Sequence, residues 1–404
     1  MKPSTRREFL ATLTSASLGA VAAPFLTADP TSQPQPIRIG CIGTGGRCRR
    51  LMTALHSIPG VQLVAVCDIW QHHLHEGAKL AAPNAFQTGD YQQLLSRTDV
   101  DAVVIGTPDH LHVPVTIAAC AAGKDVYVEK PLTHSLEEGK PVIDAQIASG
   151  SIVQVGMQQR SMPHIQEARD IIRSGLLGQV LKIHLTWNRN SPPGRPTPMG
   201  IDPATVDWPA FLGSAPNQPF NEQRFRNWRW FWDFGGGLFT DLMVHWIDVA
   251  HWILDLDQPL FATSIGDHVS AKGFWETPDT VQTLLQYTRP GGGSNIQAYF
   301  EGTFSNARNA AMIEFMGTQA TLYLDRGRYE IHPEPNSSVN YTEQILGSGP
   351  RGADFYNNPD GELLHMENWI NAIRTRQQPS APIPDGVRSA ASAHMANDGL
   401  RPSR

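Results

Sequence analysis

Two short runs rich in β-forming residues, Ile37–Ile42 and Val61–Cys67, flank the turn Gly43-Thr44-Gly45-Gly46-Arg47-Cys48 and a helix-compatible stretch through Leu51 and Leu55. The second run ends on Asp68. A strand that feeds a glycine turn and then a helix starts a parallel α/β sheet suited to a dinucleotide, which narrows the fold more than any other feature here. Gly43 permits the tight turn, and Gly45 lets a pyrophosphate approach the backbone. The helix start supplies N–H groups with no intrahelical partner. Asp68 stands 25 residues after Gly43, where a carboxylate accepts hydrogen bonds from both ribose hydroxyls and repels a 2′-phosphate. NAD is therefore favoured over NADP. The third glycine of the fingerprint is replaced by Cys48, which is small enough for close helix–strand packing.

The alternation of strand and helix continues to residue 156. A buried strand over 101–106 ends in Thr107-Pro108-Asp109-His110-Leu111-His112, and another over 125–128 ends in Glu129-Lys130-Pro131. Helical sequence over 135–149 leads to a last strand over 152–156. A doubly wound sheet binds its ligand at the carboxyl ends of the strands. Thr107, Pro108, His110, His112, Glu129 and Lys130 are thereby expected at one place, together with Gly43, Thr44, Gly45, Gly46, Arg47 and Asp68. The expected boundaries are a nucleotide-binding α/β domain over 37–156 and a second, α+β domain over 157–404.

In the second domain, residues 188–234 are rich in Pro, Asn, Arg and Trp and have little periodicity. Their aromatic residues point first to packing, and second to stacking on a sugar ring. Gly235-Gly236-Gly237 opens a helix pattern to about Leu254. On it Asp241, His245, Asp248 and Trp252 form one stripe, with Asp241 and His245 one turn apart. His251 lies off that stripe as a structural or surface residue. From Thr280 onward, alternating runs punctuated by Gly and Asp predict a large, open, mostly antiparallel sheet. Helical sequence over 363–374 follows.

The G-T-G-G turn, the T-P-D-H-L-H and V-E-K-P strand ends, and G-G-G-L-F-T-D-L-M-V-H at 235–245 together resemble the Gfo/Idh/MocA oxidoreductases, over residues 37–397 and in that family's order. The resemblance implies a Rossmann domain, bound NAD, and hydride exchange with a secondary alcohol or ketone of a carbohydrate or polyol. It places catalytic groups at Lys130, Asp241 and His245. His245 is then the expected general base, with imidazole titrating near working pH. Lys130 is expected on the reacting oxygen, and Asp241 on a substrate hydroxyl or on the base. His112 and Arg160 are expected on the wall, touching cofactor or substrate. Similar proteins pair through the second sheet as dimers or tetramers. Two other activities stay open on this scaffold: glycoside cleavage by transient oxidation and elimination, and a non-catalytic NAD or sugar sensor. The sequence leaves the family's pattern at 398–404, where Gly399 and Pro402 stop the last helix, through either an early end or a truncation.

Composition removes other classes. A formal charge of −6 without a long basic run argues against nucleic acid as partner. The four cysteines form no C-x-x-C pair, and no H-E-x-x-H is present, so a metal-dependent hydrolase finds no ligand set. The run His72-His73-Leu74-His75 reads as a solvated helix start. Residues 1–28, with Arg6-Arg7-Glu8-Phe9 before an apolar stretch, carry a twin-arginine export signature, and 29–36 a Pro-rich linker. A periplasmic protein without a membrane span is expected. Removal of 1–28 takes Lys2, Arg6, Arg7 and Glu8 and moves the formal charge from −6 to −8. Free NAD is scarce outside the cytoplasm, which favours a cofactor that stays bound.

Overall fold

The computed structural model describes residues 35–195, 197–345 and 360–400; the twin-arginine segment lies outside them. Six parallel strands form the first sheet: β1 (Ile37–Ile42), β2 (Val61–Cys67), β3 (Phe86–Thr88), β4 (Ala102–Ile105), β5 (Asp125–Val128) and β6 (Val153–Val155), in the order β3-β2-β1-β4-β5-β6. Every residue of β4 is buried, because helices cover both faces of the sheet and leave no side on which a strand needs polar residues. The order reverses between β1 and β4. There the crossovers diverge and open a crevice at the strand ends.

The second sheet has eight strands: β7 (Val180–Asn188), β8 (Phe261–Asp267), β9 (Thr280–Tyr287), β10 (Ile296–Thr303), β11 (Ala311–Gly317), β12 (Ala320–Asp325), β13 (Arg328–Pro333) and β14 (Thr342–Ile345). Their order is β14-β13-β12-β11-β7-β10-β9-β8, antiparallel except for the β7–β10 pair. Alternation sets the two faces. Ile296, Ala298 and Phe300 of β10 point inward, and Gln297, Tyr299 and Glu301 point outward. The inner face packs on the helices Pro163–Arg173, Val244–Leu254 and Ile383–Asp398 through Ile165, Trp246, Ile247 and Ala393. Among the described residues no helix is long and apolar enough to cross a membrane.

The C-terminal region does not stay with the second sheet, as the boundary at 156 implies. The helix Gly361–Thr375 returns to the first one, where Met366, Trp369 and Ile370 pack on Ile39, Leu51 and Tyr127. Arg160, expected on the substrate wall, ties the same units together. It is 1% exposed, and its guanidinium forms a fork on Asp248 at 2.8 and 2.7 Å. It also reaches Asp385 at 2.5 Å and the Ser380 carbonyl at 3.1 Å. A fixed planar donor set matched to a carboxylate explains why arginine, drawn into the interior, clamps three segments away from the cavity lining. Arg160→Met leaves Asp248 buried and uncompensated, so a loss of about 3–5 kcal/mol is expected. Urea unfolding of the variant checks it, with nucleotide affinity of the folded protein unchanged.

Candidate active site

The glycine turn after β1 has the shape a pyrophosphate needs. Gly43 lies at φ +77°, and a Cβ there would fall 2.8 Å from the Thr107 nitrogen. Gly45 caps the helix Gly46–His56 with no side-chain hydrogen bond, which leaves the first N–H groups to a ligand. The missing third glycine has a partner elsewhere. A Cβ on Gly106 would meet the Cys48 Cβ at 2.8 Å, so the close approach of helix and strand is secured at the end of β4 instead.

Asp68 ends β2 and is 8% exposed. Its Oδ1 accepts from the Trp70 backbone N–H at 2.9 Å, and its Oδ2 lies 3.5 Å from the Thr44 hydroxyl and 3.7 Å from His73 Nδ1. Burial pushes the carboxyl up to about 7, against those hydrogen bonds. Burial also lowers His73 to about 4, so the ring beside Asp68 is neutral. A ribose diol supplies donors to such a carboxylate.

The strand ends of β4 and β5 are locked to each other. His112 places Nε2 2.9 Å from the Thr107 carbonyl and Nδ1 2.6 Å from that of Pro131. Glu129 accepts from Arg47 at 2.7 Å, and Arg47 also pairs with Glu362 of the returning C-terminal helix. Burial would raise Glu129, but Arg47 and Lys130 hold it below its usual range. Arg47 thus braces the turn against the strand end. A cavity of about 1120 Å³ runs from Gly43, Gly45 and Asp68 past Thr107, Pro108 and Glu129 to Lys130 and His245.

At its far end, Lys130 donates to the Asp241 carboxylate at 2.9 Å and to the Asp241 carbonyl at 2.7 Å. Arg229 approaches the same carboxylate at 3.2 Å. Burial would raise Asp241, yet Lys130 and Arg229 hold it well below the usual carboxylate range. The expected single helix from Gly237 is broken here: Phe239–Met243 forms a π turn before the helix Val244–Leu254, a deviation frequent at functional sites. Gly235 admits the other partner, since a Cβ there would sit 2.8 Å from the Arg229 Cα. His245 stacks on Trp187 with centroids 5.1 Å apart. Burial first, then Lys130 and Arg326, lower it well below 6.5, so its imidazole is neutral. Its Nδ1 is sealed without a partner, which leaves Nε2 for a ligand.

His110 has a different task from the cofactor contact expected of it. Its Nε2 lies 2.7 Å from the Phe211 carbonyl, and its ring packs on Phe211 and Phe234. It anchors a strap over 206–213. The Asp207 backbone N–H donates to the Ile69 carbonyl at 2.9 Å, and Val206 pairs with Trp70. The strap crosses the cavity beside β2 and β4, and Asp207, Ala210 and Phe211 line it. The aromatic residues of 206–234 form a separate core of Trp208, Phe211, Phe225, Phe231 and Phe234 beneath it. Trp228 reaches the cavity wall.

A model for the oxidoreductase family with an NAD-binding Rossmann fold matches residues 37–157, and one for the GFO/IDH/MocA C-terminal domain matches 210–323. An inositol 2-dehydrogenase of Rubrobacter xylanophilus is 31% identical over 377 residues, 90% of this chain and 91% of that protein. The chain belongs to the Gfo/Idh/MocA oxidoreductase family. Two further curated relatives align in part. Inositol 2-dehydrogenase of Salmonella typhimurium is 29% identical over 55% of this chain and 54% of its own length. A glycosyl hydrolase family 109 protein of Parabacteroides distasonis is 29% identical over 44% and 43%. The chain spans about half the length of these two. A levoglucosan dehydrogenase solved with NADH and levoglucosan superposes at a TM-score of 0.69, with 19% identity over 90% of this chain and 97% of that one. An oxidoreductase from Agrobacterium radiobacter solved with NAD+, L-tartaric acid and magnesium gives 0.68 at 18% identity, covering 90% and 96%. At these identities the likeness is one of fold.

Trp70, His73 and Arg229 were not foreseen as parts of this Gfo/Idh/MocA site. The aromatic directly after the acidic end of β2 was an available signal for the first. His73 stood in a run expected to be solvated but lines the cavity beside Asp68. Nothing local marks Arg229, because only the folded glycine run brings it to Asp241. His251, placed off the site, is buried on Tyr287 and Ser392.

The ionised form of Asp68 is the one that accepts from a ribose diol. NAD affinity is expected to fall as pH drops below about 7, approaching about tenfold per pH unit, and to level off above it. Calorimetric titration in buffers of different ionisation heat reads the linked proton release, which Asp68→Asn abolishes. With the folded carboxyl raised from 3.8 to about 7, the folded state binds the extra proton between those values. Stability of the nucleotide-free protein therefore falls as pH rises through that window.

Proposed function

We propose that this protein is an NAD-dependent oxidoreductase that exchanges hydride with a secondary alcohol or ketone of a carbohydrate or polyol and retains its nucleotide through turnover. The convergence of Lys130, Asp241 and His245 at one end of the dinucleotide cavity carries the reading. The residues present fit NAD: an uncapped helix start behind Gly43 and Gly45, and the Asp68 carboxyl lining the cavity at the end of β2. NAD, when bound, supplies the hydride acceptor. Everything else falls to the chain. Lys130 hydrogen-bonds the reacting oxygen and stabilises the charge that develops there. Asp241 holds the Lys130 ammonium in place. His245 is neutral and takes the hydroxyl proton through Nε2. Relatives and structural neighbours named for inositol and levoglucosan support a polyhydroxylated substrate.

The strap supports retention, because release of the adenosine end requires parting the 206–213 segment from β2 and β4. Retention suits export by the twin-arginine route, which carries folded proteins, to a compartment poor in free NAD. The outward face of the second sheet carries exposed Ile265 and Leu284 beside polar Gln282 and Gln297, and this supports pairing with further copies of the chain.

Protein purified without added nucleotide is expected to yield near-stoichiometric nicotinamide dinucleotide on denaturation. A nucleotide-free preparation active only with millimolar NAD refutes retention. Lys130→Ala and His245→Ala are each expected to lower turnover about 10²- to 10⁴-fold while binding NAD as before. Variants that turn over normally refute the assigned roles. A panel of sugars, polyols and aryl glycosides, followed at the absorbance of the reduced nicotinamide, separates net oxidation from glycoside cleavage and from sensing.

A further inference from the structure

Lys130 and Arg229 bring two positive charges to the reacting end of the cavity, against one ionised carboxylate paired with them among the described residues. Lys130 and Arg229 share one carboxylate, that of Asp241, at 2.9 and 3.2 Å. Glu129 is committed to Arg47. Asp109 also lines the cavity, where burial pushes its carboxyl up against the pull of Lys130 and Arg229. Arg229 is fixed by its Nε alone. Its terminal nitrogens have no partner among the described residues, and the guanidinium lies 4.2 Å over Trp228 on the cavity wall. The Arg189 guanidinium likewise has no hydrogen-bond partner among the described residues, its backbone N–H alone being engaged, on the Thr303 carbonyl. Its guanidinium sits 5.6 Å from the centroid of Trp187, the indole on which His245 stacks. A third guanidinium, that of Arg326, lies 4.5 Å over the same indole and lines the cavity.

Neutral hydroxyls need no such charge, and an arginine held over an aromatic ring with its donor edge open is a site for a carboxylate or phosphate. We propose that the substrate of this dehydrogenase site carries an anionic group, a carboxylate or a phosphate ester, beside the carbon that is oxidised, and that Arg229 and Arg189 seat it. The inference deepens the oxidoreductase reading and rests on it for the location of the substrate.

Calorimetry on the full-length, NAD-loaded protein tests it without recourse to turnover. The probes are glucose against glucuronate, galactose against galacturonate, and glucose 6-phosphate. In low salt at least one acid is expected to bind about tenfold or more tighter than its neutral parent. The advantage shrinks with added salt. It is lost in Arg189→Gln, an exposed position whose replacement leaves the core intact, and part of it remains in Arg189→Lys. Tighter binding of the phosphate than of the uronates assigns the ester as the anion. Equal binding of acids and parents, no binding of any acid, or an advantage indifferent to salt and to Arg189→Gln overturns the proposal. Uronate binding without any reduction of the bound nucleotide upholds the anion site and refutes the dehydrogenase. Oxidation of neutral sugars alone does the reverse.

Discussion

The contact between Lys130 and Asp241 is the point on which the two halves of the molecule converge. One partner ends β5 of the first sheet, and the other lies in the π turn leading the main helix of the second domain. Their side chains are 12% and 17% exposed. Each charge has given up most of its hydration, and neither is well placed without the other. The geometry therefore rests on supports outside the pair. Glu129 and His112 fix the strand end, and Gly235 lets the Arg229 backbone close on the π turn. The second hydrogen bond, to the Asp241 carbonyl, ties the ammonium to the backbone as well as to a side chain. That restricts its direction more than a single ion pair would.

The strap turns an open crevice into a partly enclosed cavity, and its stability comes from apolar packing. Phe211, Phe225 and Phe234 bury against one another beside Trp208. The polar anchors, His110 on the Phe211 carbonyl and Asp207 on the Ile69 carbonyl, set where this small core docks. Opening the strap exposes aromatic surface as well as breaking hydrogen bonds, and apolar burial contributes roughly 25 cal/mol per Å².

The first sheet was legible because its signals are local: apolar runs, a glycine turn, an acid at the end of a strand. The catalytic set needed the family resemblance, since nothing within 235–254 alone separates a functional histidine from a packed one. What stayed hidden was tertiary. Nothing in the segment around Arg160 encodes its capture by Asp248 and Asp385, which lie 88 and 225 residues further along the chain. His110 sits in a motif shared with cavity residues, yet its ring turns to a segment a hundred residues on, which no spacing encodes. The stripe arithmetic at Asp241 assumed 100° per residue, and the π turn breaks that phase. Cys48 shows the opposite case. The absent glycine weakened the motif on paper, while Gly106 across the interface supplies the missing space.

The electrostatics of His245 join the strand end, the glycine run and the arginines into one problem. A good general base titrates near the working pH, yet burial and the cations Lys130, Arg326, Arg47 and Arg189 all disfavour its protonated form. The sealed Nδ1 adds to this, because an imidazolium must bury an N–H without a partner there. On the chain's own charges His245 is neutral but a reluctant proton acceptor. A negative charge brought in by the substrate, seated among the same arginines, opposes part of what depresses the ring and moves it back toward a useful basicity. The base would then reach full strength only with substrate present. On the proposed anion site, the cations that disfavour protonation of His245 in the free protein are offset in the complex by charge on the ligand.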